Sequence, residues 1–396
     1  MRGWDIFCAV VDNYGDAGVC LRLARQLARL QDKPVRLWID DPASLRKLLG
    51  AQGETALGFE LRAWTPEAFA APFPAEDVAD AVIEAFACEL PANYLEAMAA
   101  RAAVGEPPVW INLEYLSAEA WVDGCHRMRS PHPRLPLVRH FFFPGFTPAT
   151  GGLLREPGLE AAREAFVREG APWWRAYGMA ARPAPEALRV SLFSYANSAL
   201  PALASAWARG VRDTGRPIAC LTPEGPALDA LRTVADVEIA GAEASADSAG
   251  AVSTGSVVAT PLPFVSQDGY DRLLWACDLN FVRGEDSFVR AQLAGKPLVW
   301  HIYPQTGSAH FEKLDAFLER YAPPEPLRRL NLAWNGAGAP LDAAGWQALW
   351  ADCEAAWPAL QAYAERWREA VHGLPELAAG LITFAREASN TANPQN

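Results

Sequence analysis

No stretch of about 18 apolar residues runs through this sequence, which excludes a helix that spans a membrane. The opening residues, Met1-Arg2-Gly3-Trp4-Asp5, pass straight into a strand-like segment. They lack the basic stretch, apolar core and small-residue cleavage site of a secretory signal, so a cytoplasmic protein is expected. Cysteine is sparse and unpatterned: seven residues, an odd number, none in a C-x-x-C pair. Neither a disulfide framework nor a zinc site follows, and buried free thiols are the expectation. Cys125 stands beside His126, but adjacent residues rarely hold one metal together. Basic residues are outnumbered, 35 against 47 acidic, for a net charge of −12. With no Lys/Arg-rich tract, the chain cannot build the basic surface that nucleic acid demands. Small phosphorylated ligands, which need only a few local donors, stay open.

Several catalytic signatures are missing as well. No G-x-G-x-x-G follows the first strand, there is no P-loop, and neither G-x-S-x-G nor H-E-x-x-H occurs. Dehydrogenase, P-loop nucleotidase, serine hydrolase and zincin readings therefore recede. The absence of a D-x-D pair disfavours a sugar transferase that grips diphosphate through a divalent metal.

What is present is length, 396 residues with 51% hydrophobic content, enough for two cores and too much for one ordinary domain. Residues 1–155 alternate short apolar runs (Asp5–Val11, Val35–Ile39, Phe59–Trp64, Ala81–Phe86, Val109–Leu113, His140–Phe143) with helical patterns. Gly18–Leu30 reads as an amphipathic helix with an apolar stripe of Val19, Leu23, Leu27 and Leu30, and with Arg22, Arg25 and Arg29 facing water. Residues 156–186, rich in Gly and Pro at their margins, read as a linker region. In 187–372 the alternation resumes with strands at Leu188–Phe193, Ile218–Leu221, Val237–Ile239, Val257–Ala259, Leu279–Val282 and Leu298–Ile302. The long pattern Leu341–His372 should break at Pro358. Residues 373–396 give a helix over Pro375–Arg386 and a disordered tail from Ser389. Gly241–Ser256, in which 12 of 16 residues are Ala, Gly or Ser, reads as a flexible loop. Strands alternating with helices predict α/β architecture, two doubly wound parallel sheets. In such sheets ligands sit at the carboxyl ends of the strands.

Two strand-to-helix turns carry the polar groups. The first is Asp12-Asn13-Tyr14-Gly15-Asp16-Ala17-Gly18, where Gly15 and Gly18 would allow a tight turn. Its two carboxylates are close to where a ligand would lie, though Asp16 could simply cap the helix. The second is Arg283-Gly284-Glu285-Asp286-Ser287. Helix-end amides, a hydroxyl and Arg283 suit a phosphate, and Glu285 could accept from a ribose hydroxyl or serve a reaction. A capped helix with solvated charges remains the plainer alternative. Phe193, Tyr195, Phe264, Gln267 and Tyr303 cluster at other strand ends of the second half. Each aromatic could be core, but flat rings near Gln267 also suit a pyrimidine.

With these residues assembled, the chain resembles the bacterial protein-arginine rhamnosyltransferases that modify elongation factor P. The matching segments are Phe7–Gly18, Ile83–Pro91, Trp110–Glu119, Phe142–Glu156, Phe193–Tyr195, Phe264–Asp268, Arg283–Ala291 and Lys296–Gln305. Departures such as Leu21 and Leu293, where tryptophan is commoner, are apolar. The resemblance implies a GT-B fold, two Rossmann-like domains facing across a cleft, and inverting, metal-independent transfer of rhamnose from dTDP-β-L-rhamnose to an arginine of elongation factor P, with no cofactor. It implies Asp16 as general base supported by Asp12, with Asn13, Tyr14 and Gly15 bordering the sugar. Phe193, Tyr195, Phe264 and Gln267 would hold the nucleoside. Arg283, Gly284, Glu285, Asp286, Ser287 and Tyr303 would hold ribose and diphosphate, with Glu285 also needed for turnover. Another nucleotide-sugar enzyme of the same fold, a small-molecule glycosyltransferase or an epimerase, is the main rival, and a partner-binding protein that kept the fold is the second.

Overall fold

The computed structural model describes residues 2–12, 14–50, 53, 57–170, 173–179, 183–240, 256–304, 307 and 309–392. The chain divides into two units, Met1–Pro157 with Gly373–Asn396, and Gly158–His372. The segment read as a linker is therefore shared out: its helix packs within the second unit.

The first unit runs β1 (Trp4–Cys8), α1 (Gly15–Leu30), β2 (Val35–Ile39), α2 (Pro42–Leu49), β3 (Glu60–Ala63), β4 (Ala81–Ala85), α3 (Ala92–Ala103), β5 (Val109–Leu113), α4 (Val122–Cys125), β6 (Arg129–Pro131) and β7 (Val138–Phe142). Its sheet has the order β3-β2-β1-β4-β5-β7-β6. All pairings are parallel except β6 with β7. Side chains alternate along a strand, and β1 shows the result. Trp4, Ile6 and Cys8 enter the core shared with α1, whereas Phe7 enters a second core with Trp38, Tyr94 and Met98. Phe7 stacks on Trp38 at 5.8 Å, and truncating a buried ring of this kind costs about 3–5 kcal/mol. Asp5, on the same face as Phe7, is fully buried and takes two bonds of 2.6 Å from Arg36 and one from the Tyr94 hydroxyl. A buried charge so paired is expensive to uncouple.

The second unit runs α5 (Leu159–Glu169), β8 (Leu188–Leu192), α6 (Leu200–Thr214), β9 (Ile218–Pro223), α7 (Pro226–Arg232), β10 (Val237–Ile239), β11 (Val257–Leu262), α8 (Gln267–Ala276), β12 (Leu279–Arg283), α9 (Asp286–Ala294), β13 (Leu298–His301), α10 (Ala309–Tyr321), α11 (Glu325–Trp334), α12 (Ala343–Ala355) and α13 (Trp357–His372). Its parallel sheet has the order β10-β11-β9-β8-β12-β13. Both sheets are Rossmann-like, and two such units make the GT-B fold. The break expected at Pro358 falls two residues earlier, at Ala356 between α12 and α13, leaving proline in a first turn where its missing N–H is harmless.

The final helix, α14 (Leu377–Ala392), returns to the first unit. It extends beyond the expected Arg386, so Ser389–Ala392, read as disordered, are helical, and 393–396 lie outside the described residues. Its Leu377, Leu381 and Ile382 join the α1 core. Leu153 donates to Pro375 O and accepts from Leu377 N, both at 3.1 Å. The approach is so close that a Cβ on Gly152 would lie 1.9 Å from the Pro375 oxygen. No helix among the described residues is long and apolar enough to cross a membrane.

Three local expectations change. Arg22 does not face water: it is buried and meets Glu156 at 2.9 Å, because the chain leaving the sheet covers that side of α1. Leu30, placed in the apolar stripe, is exposed at the helix end. Gly15 and Gly18 have no left-handed backbone. Both lie in α1, and the turn before it closes through Gly15 N to Asp12 O at 2.7 Å.

Candidate active site

In a doubly wound sheet the crevice opens where strand order reverses. In the first unit that point lies between β1 and β4, and in the second between β8 and β12. The polar turns singled out from sequence stand at these carboxyl edges.

In the first unit, Asp16 is fully buried in the first turn of α1. It does not cap its helix. One oxygen, Oδ2, accepts the amides of Val11 at 2.8 Å and Asp12 at 3.0 Å, both before the helix begins. The other, Oδ1, accepts the Tyr115 hydroxyl at 3.1 Å. Asp12 and Tyr14 are half-buried in the same turn, and Lys47 lies 3.4 Å from the Tyr14 hydroxyl. Asn13 lies outside the described residues.

Tyr115 was not singled out from sequence, although it follows β5 at the same edge. Its ring stacks on Phe86 with centroids 4.3 Å apart and planes 9° apart. Phe86 begins the turn after β4, where Phe86, Ala87 and Glu89 have φ of 56°, 54° and 55°. Left-handed backbone costs a non-glycine residue roughly 1–3 kcal/mol, and it persists only where surroundings enforce it. Here they do. Phe86 N donates to Leu113 O at 2.7 Å. The amide of Ala87 reaches Asn112 Oδ1 at 3.2 Å, and that of Glu89 reaches Glu84 Oε1 at 3.1 Å. Both acceptors are buried on neighbouring strands. Beyond this turn a cavity of about 640 Å³ is bordered by Asp40, Trp64, Phe69, Cys88 and Glu96.

In the second unit, Arg283 ends β12 and places its guanidinium 4.6 Å from the Phe193 ring centroid and 4.5 Å from that of Tyr195. Each such contact contributes about 0.5–2 kcal/mol, so the cation is positioned before any ligand arrives. Gly284, at φ 63°, turns the chain into α9. The Ser287 hydroxyl is bonded to the Arg283 backbone, accepting from N at 3.1 Å and donating to O. Glu285 accepts from Lys313 Nζ at 3.2 Å. Lys313, on α10, is a second residue sequence reading missed.

Gln267 is buried, and its amide nitrogen donates to Asp286 Oδ2 at 3.2 Å, which ties the start of α8 to the start of α9. Arg290 reinforces that joint with bonds of 2.8 and 2.7 Å to Asp271. Tyr303 is 46% exposed and meets Tyr195 edge-on at 5.5 Å, whereas Phe264, which follows β11 four strands along the sheet from β13, is 51% exposed. Large rings this open are not core. His301 lies under Tyr195 at 5.2 Å. Burial and the Arg283 charge push its pKa down to about 4, so it is neutral at ordinary pH. Gln305 and residues 241–255 lie outside the described residues.

All seven cysteines are free, five of them buried. Beside Cys125, His126 Nδ1 accepts from the Phe143 amide at 3.1 Å.

Against known proteins, residues 4–386 match the family model described as Elongation-Factor P (EF-P) rhamnosyltransferase EarP. A protein-arginine rhamnosyltransferase of Pseudomonas putida is 44% identical over 398 residues, covering 97% of this chain and 99% of the relative. One of Pseudomonas aeruginosa is 43% identical with the same coverage. A solved structure presented as the structural basis for EarP-mediated arginine glycosylation of translation elongation factor EF-P is 33% identical. It aligns with a TM-score of 0.63 over 98% of this chain and 100% of the other.

Proposed function

Because this chain belongs to the EF-P rhamnosyltransferase family and is a protein-arginine rhamnosyltransferase, we propose that it moves rhamnose from dTDP-β-L-rhamnose to an arginine side chain of elongation factor P, inverting the sugar carbon without a metal ion. The observation that carries the reading is Arg283, a guanidinium fixed over two rings at the mouth of α9. A departing diphosphate gathers negative charge, and a preorganised cation beside helix-end amides stabilises that charge as it forms. The sequence has no D-x-D pair to recruit a metal for the same work.

The acceptor side needs the opposite chemistry. Guanidinium is protonated below a pH of about 12 and has no lone pair suited to attack. A carboxylate must orient it and take its proton as nitrogen bonds to carbon. Asp16 is assigned that role, with Asp12 supporting it and Asn13, Tyr14 and Gly15 bordering the sugar. Glu285, Asp286, Ser287 and Tyr303 are assigned to ribose and diphosphate, and Phe193, Tyr195 and Phe264 to the base. Gln267, whose amide nitrogen is tied to Asp286, is assigned to the base with those rings.

The test is mass spectrometry of elongation factor P after incubation with enzyme and dTDP-rhamnose, with and without a strong chelator. A deoxyhexose on arginine in both samples is expected. Donor turnover without modified acceptor would favour a small-molecule transferase or an epimerase, and loss with chelator restored by magnesium would refute the metal-free scheme. Phe264→Ala should weaken donor binding by roughly 1–3 kcal/mol, the scale of a base stacked on an aromatic ring. Titration calorimetry reads this directly, and an unchanged Kd would remove Phe264 from the site.

A further inference from the structure

We infer that Tyr115, held by Phe86 on the strained turn after β4, is the positioning residue for the Asp16 carboxylate. The inference rests on Asp16 being the base, as proposed above. Asp16 is fully buried, and burying a carboxylate is costly unless its oxygens are hydrogen-bonded. The backbone of its own turn serves Oδ2. Oδ1 is served by a side chain 99 residues away, and that hydroxyl is 3.1 Å distant. Tyrosine could swing about two torsions, but its ring lies flat against Phe86 at 4.3 Å. Phe86 in turn cannot relax, because the left-handed turn that carries it is pinned through Leu113, Asn112 and Glu84. Strain of this kind clusters where geometry matters to function. Two strand ends, those of β4 and β5, thus converge on one carboxylate oxygen presented from the first turn of α1. The hydroxyl fixes which way Oδ1 directs its remaining lone pair.

Tyr115→Phe removes the hydroxyl and keeps the stacked ring. Hydrogen bonds to charged groups are strong enough that kcat for arginine transfer should fall about 10- to 100-fold, while KM for donor and for protein acceptor stays within about twofold. Phe86→Leu, which keeps the hydroxyl but frees the ring, should lower kcat by a smaller factor with KM likewise unchanged. In an Asp16→Asn background Tyr115→Phe should change the residual rate by less than about twofold, because the group it positions is already gone. Full kcat in Tyr115→Phe, a loss confined to KM, or an equal loss with and without Asp16 would each overturn the inference. Full activity in the Asp16→Asn single variant would instead overturn the assignment of the base. The two failures are thereby told apart. Thermal melts of all variants, expected within a few degrees of the parent, show that rate changes are not unfolding.

Discussion

Asp16→Asn is expected to lower kcat for arginine transfer by about 10²–10⁴, the usual worth of a positioned base, with donor Kd unchanged. The substitution is nearly isosteric and leaves the turn intact. An asparagine carbonyl in place of Oδ2 can still accept the Val11 and Asp12 amides. Its amide nitrogen would then face the Tyr115 hydroxyl, which can accept as readily as it donates. What asparagine cannot do is take a proton. Stopped assays with intact acceptor, beside donor titration, separate the two effects. Turnover within threefold of the parent would move the base elsewhere, with the half-buried Asp12 next in line.

Arg283→Met should cost about 10²–10³ in kcat, comparable to removing one preorganised donor from a charged transition state. Methionine keeps most of the apolar stem against Phe193 and Tyr195, so the loss reports charge more than packing. Arg283→Lys should recover only part of it. An ammonium carries the charge, but a planar guanidinium fits between rings and still presents several N–H groups. Equal rates for Lys and Arg at this position would show that a point charge suffices.

The regular parts of the fold were legible because they are local. Apolar runs and amphipathic periods placed the long helices and the central strands to within a few residues, and the polar turns fell at the carboxyl edges as the winding rule requires. Burial of individual charges was less accessible. Arg22 looked like a solvated arginine because its cover, Glu156, is 134 residues away in sequence. The tie of the Gln267 amide nitrogen to Asp286 on another helix was likewise not readable from local pattern. Tyr115 and Lys313 were missed for the same reason: each matters through a partner in another element. Tyr115 had a signal all the same, as a polar aromatic one residue past Glu114 at a strand end. A tabulation of every polar group at every carboxyl edge would have raised it.

The return of α14 to the first unit has a consequence for biosynthesis. Domains emerging from a ribosome tend to fold in order, the earlier part first. Here the unit that is made first is finished last, since Leu377, Leu381 and Ile382 complete a core begun by Ile6 and Leu23. While residues 158–372 are being made, the α14-facing part of that core stays uncovered. A nascent chain halted before residue 377 therefore displays an apolar groove, a natural target for chaperones, and a gene truncated there should yield aggregate from the first unit even though every strand of its sheet is present.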